Sequence, residues 1–126
     1  MTKDEIIKLV DATENPLIKA GEKHRFNYIW IVVVENRMFC SQYDFSKNSW
    51  YSTFLKEPKG YIKCNDTIIK VNGINPKDLD DINDRINDAY IEKHAKRFTK
   101  MSHYAYQMVE TPRMKRTMEL IPINNN

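Results

Sequence analysis

The spacing of hydrophobic positions along this chain changes twice, and each change marks a new kind of element. In "TKDEIIKLVDATE", Ile6, Ile7, Leu9 and Val10 supply the apolar side of a short first helix, with Thr2 as its N-cap and Asp4 and Glu5 in its first turn. Asn15-Pro16 ends that pattern, because the residue before a proline is pushed out of helical geometry. "KAGEKHRFN" then reads as a polar loop.

From Tyr28 to Val34 the residues are aromatic or β-branched without interruption, the composition of a strand. Glu35-Asn36 fits a two-residue hairpin, since asparagine tolerates positive φ, and Arg37 to Tyr43 returns as the second strand. Along it Met38, Cys40 and Gln42 face one way while Arg37, Phe39, Ser41 and Tyr43 face the other. "DFSKNS" is a turn cluster, Trp50 to Leu55 is expected as a third strand, and Tyr61–Cys64 and Thr67–Val71 flank a tight "ND" turn. Five short strands with tight connections predict an antiparallel sheet curled into a small barrel.

After "NGINP" the period becomes helical. Leu79, Ile82, Ile86, Ala89 and Tyr90 recur along one side from a start at Pro76, with Asp78, Asp80 and Asp81 near the positive end of the helix dipole. The helix is expected to reach about Arg97, and a further turn or two through "HYAYQMVE" precedes the stop at Pro112. "KRTMELIPI" alternates Thr117, Glu119 and Ile121 against Met118, Leu120 and Pro122, and is expected to close the sheet. The whole chain, 1–126, reads as one domain: a helix and loop over 1–20, barrel strands over 28–72, helices over 76–110 and a closing strand over 113–122. The class is α+β with about six strands, the first helix and the long helix after strand five packing outside.

Composition adds exclusions. A chain of 126 residues with 41% hydrophobic and 29% charged residues has the balance of one folded domain and leaves only "NNN" as a loose tail. Its longest apolar run, seven residues from Tyr28, falls far short of the roughly 20 a membrane helix needs. The first residues lack the apolar segment of a secretory signal, so the expected location is cytoplasmic and no membrane partner is expected. Cys40 and Cys64 are too few and too separated for a disulfide framework or metal knuckle. The net charge of +3 is spread along the chain, and only "TPRMKR" hints at a phosphate or nucleic-acid contact, so nucleic acid is not an expected partner.

The chemistry-bearing residues narrow the choice further. His24, His94 and His103 have no metal-ligand spacing, and Gly21, Gly60 and Gly73 form no phosphate-cradling loop. No serine or cysteine has a base and an orienting group near it in sequence. The aromatics are more suggestive: Trp30, Phe39, Trp50, Tyr51, Phe54 and Tyr61 all fall on predicted strands, as barrel core, pocket wall or interface.

The order of "KAGEKHRFNYIWIVVVENRMFCSQ", "WYSTFLKEPKGYIKCNDTIIKV", "AYIEKH" and "TMELIPI" resembles the family known as domain of unknown function 2255, over roughly Lys19 to Pro122. That family is similar to the flavin- and deazaflavin-binding split β-barrels, including nitroreductase-like proteins. In those a lysine, a glycine and an arginine precede the first hairpin, and a Trp-Tyr pair leads to a leucine and a proline; the matching positions here are Lys19, Gly21 and Arg25, then Trp50, Tyr51, Leu55 and Pro58. The resemblance implies a split barrel, usually a homodimer with cofactor clefts between subunits. FMN or deazaflavin would be held by Lys19, Arg25, Ser41 or Lys59 at its phosphate and by Trp30, Trp50 or Tyr51 at its ring. Two departures stand against it: Ser41 occupies a position that is basic in relatives, and no asparagine follows the Trp-Tyr pair in "WYSTFL". The alternative is therefore a cofactor-free dimeric barrel that binds a small ligand or a partner.

Overall fold

The computed structural model describes residues 1–23, 25–41, 50–109 and 116–123. Among these it has seven strands and four α-helices. The strands are β1 (Leu17–Ala20), β2 (Asn27–Tyr28), β3 (Val32–Val34), β4 (Arg37–Ser41), β5 (Lys59–Cys64), β6 (Thr67–Ile74) and β7 (Thr117–Pro122). They form one sheet, entirely antiparallel, in the order β2-β1-β5-β6-β7-β4-β3. The helices are α1 (Lys3–Ala12), α2 (Trp50–Lys56), α3 (Leu79–Ile91) and α4 (Ser102–Met108). This is an α+β split barrel. Among the described residues no helix is long and apolar enough to cross a membrane.

The sheet order explains the curl. β2 and β3 are the two edges, yet only Ile29, Trp30 and Ile31 separate them in sequence. From Tyr28 to Val32 the chain spans at most about 14 Å, so the sheet must bend until its edges nearly meet. The predicted single strand Tyr28–Val34 is therefore two strands on opposite edges joined by a short seam. A hydrophobic run cannot distinguish one strand from two that share a bridge, because both bury the same side chains.

Helix α1 starts as expected: Thr2 accepts from the Glu5 amide at 3.1 Å and Glu5 accepts from the Thr2 amide at 3.0 Å, a reciprocal cap. Its Ile6, Ile7 and Val10 pack on one sheet face with Ile18, Ile62, Val71, Met118, Leu120, Met38 and Cys40. The opposite face, at the β3 and β4 end only, takes Ile82, Ile86 and Tyr90 of α3 and Met108 of α4 against Val32, Val34 and Phe39. Glu35 and Asn36 adopt φ of 52° and 63°, the left-handed pair that a two-residue hairpin requires. Arg37 then fixes α3 to the sheet, gripping Asp78 at 2.8 and 2.9 Å and Glu119 at 2.9 and 3.0 Å.

Two expectations need correction. Trp50 to Leu55 is not a strand but lies in helix α2, where Trp50 and Phe54 share the buried side at helical spacing. Phe54 sits over Gly60 and Gly73 so closely that a Cβ at either would fall within 2.6 Å of its ring. Leu17–Ala20, read within a polar approach to the barrel, is strand β1, with Ile18 and Ala20 turned inward and pairing to β5. Four residues are too short for alternation to stand out. Gln42, Tyr43, "DFSKNS", His24, Pro112 and the closing "NNN" lie outside the described residues, as does "TPRMKR" up to Lys115.

Candidate functional site

The seam between the two edges leaves backbone groups without a ladder partner, and such groups cost free energy when buried unpaired. Helix α3 and the wide π-type turn that extends it, Glu92–Arg97, supply the partners. The Tyr90 hydroxyl donates to the Trp30 carbonyl at 3.3 Å and accepts from the Ser41 amide at 2.7 Å. Lys93 reaches further in, donating its Nζ to the Ile31 carbonyl at 2.7 Å and to the Val10 carbonyl of α1 at 3.0 Å. The same side chain so holds the seam and the end of α1. Burial pulls the Lys93 amine down to about 8, partly offset by the charge of Asp11. It pushes the Tyr90 phenol well above its ordinary value.

Next to Lys93, His94 is buried and lies flat against the Trp30 indole, with ring centroids 4.0 Å apart and an interplanar angle of 7°. Among the described residues its Nε2 has no hydrogen-bond partner. Burial, followed by the charges of Lys93 and Arg97, lowers its pKa to about 3, so the ring is neutral at physiological pH. The Trp30 indole is held at its other end by donating Nε1 to Asn15 Oδ1 at 3.2 Å. Stacked on one side and tethered at its nitrogen, Trp30 forms a fixed wall.

That wall borders a recess of about 350 Å³, completed by Asn15, Tyr28, Ile29, Ser41, Tyr104 and Met108. The lining is mostly aromatic and aliphatic, with a few polar groups, the makeup of a small-molecule pocket. Ser41 at its boundary is buried and shares a 2.7 Å hydrogen bond with the Thr117 hydroxyl. No cationic side chain lines this recess among the described residues. A second, wider groove of about 720 Å³ adjoins it.

The sequence-predicted site residues divide. Trp30 and Ser41 come together in the recess. Lys19 and Lys59 stand elsewhere, on a sheet face that no helix covers among the described residues: register places Lys19 and Lys70 on either side of Tyr61, with Lys59 and Lys63 two positions away along β5. There Lys19 Nζ lies 5.2 Å from the Tyr61 ring centre and 5.7 Å from that of Phe26. Arg25 is exposed on the link into β2. Trp50 and Tyr51 lie on α2, where Trp50 packs edge-on to Tyr51 and Phe54, and the Tyr51 hydroxyl donates to Asn75 at 3.2 Å.

Sequence reasoning missed Tyr90, Lys93 and His94 as the seam's partners. Yet a signal existed: Ile82, Ile86, Tyr90 and Lys93 continue one helical stripe, so Lys93 falls where an apolar residue belongs. Cys40 and Cys64 are buried free thiols whose pKa values burial pushes up, which leaves them unreactive. No group of three metal-ligating residues gathers among the described residues.

Against known proteins, residues 5–120 match the model of the family described as "Uncharacterized protein conserved in bacteria", domain of unknown function 2255. A comparison with curated proteins gave no match. Among solved structures, one titled "Putative Pyridoxamine 5'-phosphate oxidase" from Listeria innocua superposes with a TM-score of 0.57 at 10% identity, over 98% of this chain and 94% of that one. A conserved hypothetical protein from Mycobacterium tuberculosis superposes with a TM-score of 0.51 at 12% identity, over 100% of this chain and 82% of that one. At such identities the likeness speaks for the fold.

Proposed function

The chain belongs to the family of bacterial proteins known as domain of unknown function 2255, and on that premise we propose that it is a split barrel binding a small flat molecule in the Trp30 recess. Of the ligands its fold class favours, a flavin or deazaflavin is the first reading, with the protein acting as an oxidoreductase-like carrier. The observation behind it is the Trp30–His94 stack, which presents a rigid aromatic face to a recess large enough for a fused ring system. A bound flavin-type ring would supply hydride chemistry; Trp30 would pack against it and the apolar lining would exclude water.

The fit is to the ring. Lys19, Arg25 and Lys59 do not line the recess, so of its expected partners the phosphate of FMN finds Ser41 alone there, and no cation among the described residues. That favours a second reading, a cofactor-free barrel for an uncharged aromatic ligand. Absorption spectra of the purified protein, with titrations of riboflavin, FMN and a deazaflavin followed by tryptophan fluorescence, test both. Trp30→Ala is expected to lose at least tenfold in affinity while Trp50→Ala does not; no visible absorbance and no binding of any of the three sinks the flavin reading.

The expected homodimer has its support on the uncovered sheet face. Ile68, Ile74 and Ile121 are 55%, 39% and 39% exposed there, on the neighbouring strands β6 and β7, with Lys70 and Asn72 standing between Ile68 and Ile74 on the same face. A second copy docked on this face would bury the three isoleucines. Light scattering is expected to give twice the chain mass for the wild type and the chain mass for Ile68→Glu with Ile121→Glu; a monomeric wild type overturns the dimer.

A further inference from the structure

The recess and the wider groove share two lining residues, Asn15 and Tyr28, and so lie side by side. Their walls differ in kind. The recess is apolar around Trp30, Ile29 and Met108, whereas the groove is lined by Ala12, Thr13, Glu14, Asn65, Lys100 and Met101 as well. Lys100 enters because the helix after Arg97 breaks at Phe98, whose backbone is extended, and a short turn at Thr99–Met101 carries the lysine to the rim. Asn65 enters from the tip of the β5–β6 hairpin, where its φ of 54° turns the chain sharply.

Resting on the proposed ring-binding reading, we infer that the two adjoining cavities together take a two-part ligand: a flat ring in the Trp30 recess and, past Asn15 and Tyr28 in the groove, a hydroxyl-bearing tail ending in an anion, with Lys100 as the anion's counter-charge. Asn15 and Asn65 offer amide donors and acceptors along the path of the tail. Among the described residues Lys100 forms no ion pair, so its ammonium is available to a ligand. Glu14 stands in the same groove and opposes the anion, while its carboxylate accepts from tail hydroxyls. Neither Lys100 nor Glu14 belongs to the candidate set read from the sequence, and both lie apart from the lysines around Tyr61.

The test separates ring from tail. Lumichrome carries the ring alone, riboflavin adds the hydroxylated tail, and FMN adds the phosphate; each is titrated against wild type, Lys100→Glu and Glu14→Gln by tryptophan fluorescence. In the wild type FMN is expected to bind about tenfold tighter than riboflavin, the scale of one charge-assisted contact. Lys100→Glu is expected to erase or reverse that preference while lumichrome and riboflavin keep their affinities, and Glu14→Gln to enlarge it severalfold. Ring binding with no preference for FMN, or a preference that survives Lys100→Glu, overturns the inference and leaves the ring-binding reading standing. Failure of all three ligands to bind overturns both.

Discussion

The two sheet regions that gather the candidate residues are built in opposite ways. At the seam, Trp30, Ser41, Tyr90, Lys93 and His94 are locked by buried hydrogen bonds and ring stacking, under two helices. On the open face, Lys19, Lys59, Lys63 and Lys70 surround Tyr61 with no helix above them among the described residues. Order at the seam comes from low-dielectric polar contacts, each expensive to leave unmade; the open face is ordered by the strands beneath it and by solvent-exposed contacts such as that of the Tyr61 hydroxyl with Glu22. A pre-formed recess needs the first kind of construction, and a surface waiting for a partner can be of the second. The contrast predicts that substitutions at the seam cost far more than substitutions on the face.

The largest effect is expected at Lys93. Lys93→Ala leaves the Ile31 carbonyl without its Lys93 donor, leaves the Val10 carbonyl to the Thr13 amide, and removes the aliphatic stem that packs between α1 and the seam. A loss of about 3 to 4 kcal/mol is expected by denaturant unfolding. A loss below about 1 kcal/mol would mean that water or a neighbouring group replaces the amine and that the seam is not held this way.

How much of this contrast was legible in the sequence follows from how local each signal is. The Thr2 cap, the Glu35-Asn36 hairpin and the switch to helical spacing after Pro76 each occupy a few neighbouring residues, and all are present. The break of the strand at Ile29–Ile31, the inward turn of β1 and the helical state of Trp50–Lys56 depend on contacts far along the chain: edges meeting, Ile18 pairing with Ile62, Phe54 over two glycines. Of the recess, Trp30 and Ser41 were in view, but Asn15, Tyr28, Tyr104 and Met108 arrive from separate segments that no single window joins. Lys93 and His94 fall inside the helix expected to reach Arg97; the stripe hints that Lys93 turns inward, but nothing local marks the carbonyls it faces or the indole that His94 covers.

The next effect is a pH dependence set by His94. Its ordinary pKa of 6.5 falls to about 3 in the fold, first through burial and then through Lys93 and Arg97. Between those values the unfolded chain takes up a proton that the folded chain refuses, so stability is intact above pH 6.5 and is lost as pH falls through the window. From pH 6.5 to 4 the loss is expected to be about 3 kcal/mol. His94→Phe, which retains a ring against Trp30, is expected to flatten the slope above pH 4, below which the lowered Asp11 and Asp78 carboxyls also take up protons. An unchanged slope in that variant would place the acid sensitivity elsewhere.

Tyr90→Phe probes the seam more gently. It keeps the ring among Ile82, Ile86 and Phe39 and removes only the hydroxyl that serves Trp30 and Ser41. Stability is expected to fall by about 1 to 2 kcal/mol, and affinity for a ring ligand to fall as well, because the Trp30 wall loses its backbone anchor. Stability lost with affinity unchanged would show that the His94 stack alone orients Trp30.

The smallest effect is expected on the open face, and it sharpens the comparison because it is nearly nil. Lys70 sits opposite Tyr61 in an exposed position on β6, and Lys70→Ala removes a side chain whose charge has other lysines for neighbours. A change within about 0.5 kcal/mol is expected, leaning towards stabilisation at low salt because like charges are separated. Ring binding in the recess should not change, since Lys70 is not among the described residues that line it. If instead Lys70→Ala weakened ring binding, the two regions would be one site, completed by a second copy that brings its basic face against the recess of the first.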